Sequence, residues 1–501
     1  MRQFSLWLFV VVQIFFGQTS TPAQIVTSPE IATIPKQREN TCQKALQQEI
    51  EAIINRSQYR RAYWGILIQT LNSPTPLYSL NAEKNFVPAS NVKLLITAAA
   101  LLKLSPDYRF RTSVYRRHDT ITVVGRGDPT LTTAQLQTLA QQLKRQGIEN
   151  INHLILDASY FPHSSPNSSW EWSDLYTNYG VISSSFNLNQ NSVTLKLIPQ
   201  KLGKPLKFIW SDPLAGKQWE IDNQGVTSAE NTKSTVNIRG NFAKNTLRIE
   251  GQLPINSEPD SWEISIPNPD RYFLVSLTTR LAQQGIKVGT NKIVTDSTYP
   301  QNLGENIANI ESENLIYIIN KTNQDSNNLY AETLLKTLAK DSKSVDGIEI
   351  VKQTLKEVGL NPETYHLSDG SGLSRQNLVS PEIIAILLTR MLSTQEGNIY
   401  KQSLAQAGIN GTLKNRFVNT PVKIFLMGKT GTLTGVSALS GYLESPRFYP
   451  LVFSIIVNQS EQRGRDLRQA IDEIILSVDH KLLGWDCRGA GSGERGRNSS
   501  Q

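Results

Sequence analysis

The sequence predicts an α+β fold, an antiparallel sheet flanked by helices and interrupted by a long β-rich insertion. Three observations predict it. Helical periodicity marks both ends of the chain, in "TCQKALQQEIEAIINRS" (41–57) and "GRDLRQAIDEIILSVDHKLL" (464–483). Strand-like stretches lie close to both, "AYWGILIQTL" and "TPLYSL" early and "VKIFLMGKTGTL", "SALSGYLES" and "YPLVFSIIVN" late, so a single sheet would draw on distant parts of the chain. Between about residues 106 and 304 the composition shifts to short β-like runs ("ITVVG", "SVTLKLI", "LRIEGQLP", "WEISIP") among many Asn, Ser, Thr and Gly, with one helix at "TTAQLQTLAQQLKRQG".

Taken in order, residues 1–23 have the layout of a secretory signal: Arg2, an apolar run from Leu6 to Phe16, then small and polar residues ending near Ala23. A retained anchor is the alternative, although the run falls short of the ~20 residues that a membrane span needs. Residues 24–105 form the first part of the sheet-and-helix unit, ending in "VPASNVKLLITAAALLKL". Residues 106–304 are the insertion, and 305–487 the second part of the unit, with amphipathic helices at "SNNLYAETLLKTLAK", "GIEIVKQTLKEVG" and "SPEIIAILLTRMLST". The Gly/Ser/Arg-rich residues 488–501 are expected to be disordered.

Composition narrows the function. The chain has 501 residues, 39% of them hydrophobic, which excludes a polytopic membrane protein. Its net charge of +8 is spread without blocks, so there is no nucleic-acid footprint, and a surface of this kind suits an anionic envelope polymer. Cys42 and Cys487 are the two cysteines, and export would permit a bond between them; paired and unpaired states both stay open. Peripheral membrane contact and oligomeric state are likewise open.

Three motifs carry chemistry. Ser90 and Lys93 stand at i and i+3, on one face of a helix that begins after Pro88. A serine hydroxyl needs a base to take its proton, and a lysine desolvated by "LLITAAALL" loses basicity and supplies a neutral amine. Alone this pattern is weak, since about two SxxK matches arise by chance in such a chain, and a capping serine with a snorkelling lysine would look the same. In "DSNNLYAETLLK", Ser326 offers a second hydroxyl and Asn328 a carboxamide, although SxN also occurs at Ser79, Ser165 and Ser185 and ordinarily caps helices. In "GKTGTLTG", Lys429, Thr430 and Thr432 could bind a terminal carboxylate, while Gly431 would let a substrate backbone lie along the strand. Backbone N–H groups of Ser90 and Thr432 could form an oxyanion hole.

In this order SxxK, SxN and KTG are far more specific than any one of them. With "GRGDPTL", "DGSGLSRQNLVSP" and "GKTGTLTGVSALSGYL" as further landmarks, residues 42–480 resemble the D-alanyl-D-alanine carboxypeptidase/endopeptidase family, the class C low-molecular-mass penicillin-binding proteins. The resemblance implies a penicillin-binding, serine β-lactamase-like transpeptidase domain with its long insertion between SxxK and SxN. It also implies an exported enzyme of the periplasm or cell envelope, acting on peptidoglycan stem peptides without cofactor or metal and acylated by β-lactam inhibitors. Ser90, Lys93, Ser326, Asn328 and Lys429 would be catalytic and Thr430, Gly431 and Thr432 substrate-binding. Arg375 and Asp157 would hold the carboxylate and ammonium of a diaminopimelate side chain. Asn327 departs from the Asp usual at the middle of SxN.

Other chemistries fare worse. The five histidines are scattered and no GxSxG elbow occurs, which argues against a Ser-His-Asp hydrolase, and HExxH and paired Cys/His spacings are missing. A β-lactamase-type hydrolase and a non-catalytic peptidoglycan-binding protein remain as alternatives, the second disfavoured by the presence of every motif residue.

Overall fold

The period-2 alternation of the strands sorts their side chains onto two faces. In Leu451–Asn458, Leu451, Phe453, Ile455 and Val457 face one way and Val452 and Ile456 the other; in Tyr63–Thr70, Trp64, Ile66 and Ile68 oppose Leu67. These two strands pair antiparallel, Tyr63 opposite Asn458 through Thr70 opposite Leu451. They form the middle of a six-stranded sheet ordered Ala405–Gln406, Leu426–Leu433, Val436–Leu443, Leu451–Asn458, Tyr63–Thr70, Pro76–Leu80, with every neighbour antiparallel. The computed structural model describes residues 36–483 apart from 74, 162–163, 297–301, 345 and 447–448. The expected signal segment, the tail and the side chains of both cysteines lie outside the described residues.

Both terminal helices, Lys36–Ile54 and Gly464–Leu483, cover the first face. Leu467, Ala470, Ile471, Ile474, Ile475 and Val478 recur at helical spacing and meet Leu46, Ile50 and Ile53 over the sheet. Burial of about 1.5–3 kcal/mol per large side chain holds this layer. The Arg56–Glu473 ion pair across it is partly exposed and contributes under about 1 kcal/mol.

The opposite face carries the helical layer that positions the site. Its centre is Val92–Lys103, buried on all sides from Val92 to Leu101. Around it pack Leu315–Gln324, Asn328–Asp341, Gly347–Glu357 and Pro381–Leu392. Leu315–Gln324 was not expected: "LIYIINKTNQ" is rich in β-branched residues, and its one helical signal is Asn314, whose side chain caps Tyr317 N–H.

The inserted region has its own hydrophobic core. Its main sheet, ordered Lys287–Val294, Asn150–Asp157, Thr120–Val124, Arg111–Arg117, Glu305–Glu311, is mixed, with parallel pairing at Asn150–Asp157 on both sides. The parallel pairs require crossover helices. One is the expected Thr133–Arg145, and a second is Pro269–Gln283, entered through the Asn268 cap and Pro269. The strand Glu305–Glu311 pairs with Arg111–Arg117, so this sheet runs past residue 304. Among the described residues, three smaller sheets complete the region.

Candidate active site

Asn91 and Asn458 fasten the turn that presents Ser90. Asn91 Nδ2 donates to Ser440 Oγ at 2.7 Å, and Asn458 Oδ1 accepts from Val87 N–H at 2.8 Å while its Nδ2 donates to Val87 O at 3.0 Å. Ala89 is left-handed, at φ 48°, and the turn leads from a short 3-10 segment into Val92–Lys103. Strain at a non-glycine residue persists where the surroundings over-determine it. Here two glycines press on the turn: a Cβ on Gly372 would meet Ala89 O at 2.0 Å, and one on Gly431 would meet Pro88 O at 2.8 Å. Gly431 is therefore required for close packing of the chain against itself.

Lys93 is fully buried, and its Nζ lies 2.9 Å from Ser90 Oγ and 2.7 Å from Asn328 Oδ1, with a further hydrogen bond to Ser371 O. Burial lowers its pKa to about 7, against the opposing pull of the Asp369 and Glu332 charges. Lys429 is also fully buried, with Nζ 2.8 Å from Ser326 Oγ and 2.9 Å from Thr430 O. Burial, and then repulsion from Lys93, drives its pKa well below the usual lysine value.

The SxN segment is capped by its middle residue. Asn327 Oδ1 accepts Tyr330 N–H at 3.2 Å and its Nδ2 donates to Gln190 Oε1 at 2.7 Å. Ser326, left-handed at φ 60°, and Asn328 are thereby released toward the two lysines. Asn328 Nδ2 donates to Tyr179 O at 2.8 Å, so the inserted region orients the carboxamide.

The strand Leu426–Leu433 supplies the third wall. Its outer edge pairs with Ala405–Gln406 only at Met427 and Gly428, and from Lys429 onward no strand covers it among the described residues. Thr432 is exposed there, whereas Thr430 is buried and its hydroxyl donates to Thr412 Oγ1 at 2.8 Å. Arg375 lies at the rim, with Nε 2.5 Å from Glu171 Oε1 and Nη2 donating to Thr434 O at 3.0 Å. Asp157 ends its strand in an Asx turn, accepting Ser159 N–H at 3.0 Å, and no described hydrogen bond or ion pair links it to Arg375.

Ser90, Lys93, Ser326, Asn328 and Lys429 thus converge from a helix, a helix start and a strand, with no histidine beside them among the described contacts. A cavity of about 800 Å³ lies elsewhere, between Tyr63–Thr70 and Pro381–Leu392, and contains none of these residues. The D-Ala-D-Ala carboxypeptidase 3 (S13) family model matches residues 46–478. The chain belongs to the S13 family.

Proteins similar to this S13 chain include penicillin-sensitive carboxypeptidase A of Dictyostelium discoideum, 27% identical over 462 residues, 84% of this chain and 88% of that protein. D-alanyl-D-alanine carboxypeptidase of Actinomadura sp. (strain R39) is 28% identical over 442 residues, covering 82% and 81%. Among solved structures, penicillin binding protein 4 (dacB) from Haemophilus influenzae superposes with a TM-score of 0.75 over 88% of this chain and 99% of that one, at 22% identity, and so shares the penicillin-binding fold. This S13 protein is a serine-type D-Ala-D-Ala carboxypeptidase by family.

Sequence reasoning placed Asp369 in a tight glycine-rich loop but missed three carboxylates, Glu332, Glu171 and Asp174, and the Trp170 indole around this S13 site. Asp369, fully buried, accepts N–H bonds from Trp170 Nε1 (2.9 Å), Gly372 (2.8 Å), Ser374 (2.7 Å) and Asn377 Nδ2 (2.8 Å). Glu332 Oε1 accepts Gly370 and Ser371 N–H. Glu171 holds Arg375, and the neighbouring Asp174 has its pKa raised to about 6 by burial and the Glu171 charge, partly offset by Arg375. Asp369 was legible in "DGSGLSRQN", where glycines imply a tight loop that needs acceptors. No such signal existed for the others, whose partners lie far away in the sequence.

Proposed function

We propose that Ser90 is the nucleophile and Lys93 the general base of an exported D-alanyl-D-alanine carboxypeptidase/endopeptidase that cleaves peptidoglycan stem peptides in the cell envelope and is acylated by penicillins. One observation carries this reading: a fully buried Lys93 with a pKa near 7 lies 2.9 Å from the Ser90 hydroxyl. A neutral amine has two N–H donors and one lone pair. With the donors directed to Asn328 Oδ1 and Ser371 O, the lone pair faces Ser90 Oγ.

Ser90 Oγ attacks the carbonyl carbon between two D-alanines as its proton passes to Lys93. The backbone N–H groups of Ser90 and Thr432 hold the developing oxyanion. Collapse breaks the C–N bond, and the departing amine takes a proton from Ser326, which Lys429 positions at 2.8 Å. The proton on Lys93 replenishes Ser326, and water then attacks the ester with Lys93 again the base, freeing Ser90. A penicillin follows the same first step, its amide bond opening within the ring. The open strand edge at Lys429–Leu433 receives the extended peptide, with Thr432 beside the terminal carboxylate. Arg375 meets a side-chain carboxylate and Asp157 the ammonium, while Glu171 and Asp174 are carboxylates that the fold brings near Arg375.

Ser90→Ala tests the reading. It is expected to give no covalent adduct with a labelled penicillin and no release of D-alanine from defined muropeptides by mass spectrometry, while melting as the wild type does. Labelling retained in Ser90→Ala overturns the assignment.

A further inference from the structure

Glu332 has no part in the steps above, yet it lies directly beneath them. It falls four residues after Asn328 on the same face of Asn328–Asp341, so two successive turns of one helix meet the surroundings of Lys93. Its side chain is 6% exposed, and among the described residues no cation lies within ion-pair distance of it. A carboxylate buried in this way is costly unless its hydrogen bonds compensate. One oxygen, Oε1, accepts Gly370 N–H at 2.9 Å and Ser371 N–H at 2.8 Å. The carbonyl of the same Ser371 accepts from Lys93 Nζ. The chain of contact runs from Glu332 through one residue of backbone to the amine.

We propose that Glu332 is a positioning residue for Lys93, pinning the Gly370–Ser371 amides so that the Ser371 carbonyl meets the amine, and holding the proton affinity of that amine through its negative charge. This rests on Lys93 serving as the base. The charged groups facing the cluster are Glu332 and Lys336 from the helix, Asp369 from the loop and Lys429 from the strand. Burial and the Asp369 charge raise the Glu332 pKa to about 7, while its amide bonds and Lys336 oppose the rise. The Glu332 charge acts on Lys93 across the Ser371 backbone, so the titrations of the two groups are coupled. Because a nearby negative charge favours the ammonium, removing it lowers the proton affinity of Lys93, and the amine becomes neutral at lower pH.

Two variants of the full chain, read by the pH dependence of labelled-penicillin acylation, test this. Glu332→Gln keeps an acceptor and deletes the charge, and its acidic limb is expected to move down by about one pH unit. Gly370→Ala keeps the charge but adds a Cβ that would meet Ala331 O at 2.8 Å and Leu335 Cβ at 3.1 Å, lifting the loop. Its plateau rate is expected to fall about tenfold or more with the limb in place. An unmoved limb in a Glu332→Gln protein of wild-type melting temperature, or an undiminished plateau in Gly370→Ala, overturns the proposal; should Glu332→Gln fail to fold, Gly370→Ala decides. Lys93→Arg separates this from the underlying reading. If it acylates at the wild-type rate the base assignment fails, and if it is inert while both variants behave as wild type, only the role of Glu332 fails.

Discussion

Ser90 and Lys93 are three residues apart on one helical turn, whereas the loop that faces them is held from the inserted region by contacts that span about two hundred residues. Asn167 Nδ2 donates to Ser368 O, Trp170 Nε1 to Asp369 Oδ2, and Arg375 Nε to Glu171 Oε1, at separations of 201, 199 and 204 residues. The first region makes the reactive pair by spacing alone. The second decides what surrounds it, including the Asp369 charge that acts on Lys93.

The strongest attempt to break that contrast is Lys93→Arg, which leaves that loop and its contacts to the inserted region, here called the collar, intact and alters only the local pair. A guanidinium stays protonated and cannot accept the Ser90 proton. Acylation by a labelled penicillin, followed by stopped flow, is expected to slow at least ~10³-fold, about 4 kcal/mol in barrier. Near-normal acylation would mean that the collar, and not the helical pair, supplies the catalysis.

Asp369→Ala attacks the collar and leaves the pair in place. Four N–H donors lose their acceptor, Trp170 of the inserted region among them. Urea denaturation is expected to show a loss of roughly 3 kcal/mol, with slower penicillin labelling in the fraction that remains folded. A loss below about 1 kcal/mol would show that the loop holds itself without the inserted region.

The rim sharpens the comparison with the smallest effect. The Glu171–Arg375 pair is substantially exposed, so Arg375→Ala is expected to cost under about 1 kcal/mol in stability. Its effect is expected instead in the KM for stem peptides that carry a side-chain carboxylate, rising several-fold at unchanged kcat, with no change for peptides lacking that group. Equal changes for both peptides would remove Arg375 from substrate recognition.

Much of the sheet-and-helix unit was legible because its strands alternate cleanly and its helices carry strong stripes: Tyr63–Thr70, Leu451–Asn458 and Gly464–Leu483 all stand close to where periodicity puts them. Pro269–Gln283 was hidden by Val and Thr residues within it and by the strand just before it. The five motif residues were legible through their order along the chain. Glu332 was not, since an acid within an amphipathic helix reads as a solvated face until the Gly370–Ser371 loop is seen to cover it.

By itself the sequence determined that a serine and a lysine share a helical face in apolar surroundings, because side-chain direction within one turn follows from 3.6-residue geometry. Tertiary structure alone decided that Asn328, Ser371, Ser326 and Lys429 meet that pair, and that Glu171 and Asp174 lie near Arg375. Contacts of that kind depend on how separate elements pack, and no local periodicity records which distant residue will fill a given acceptor or donor position.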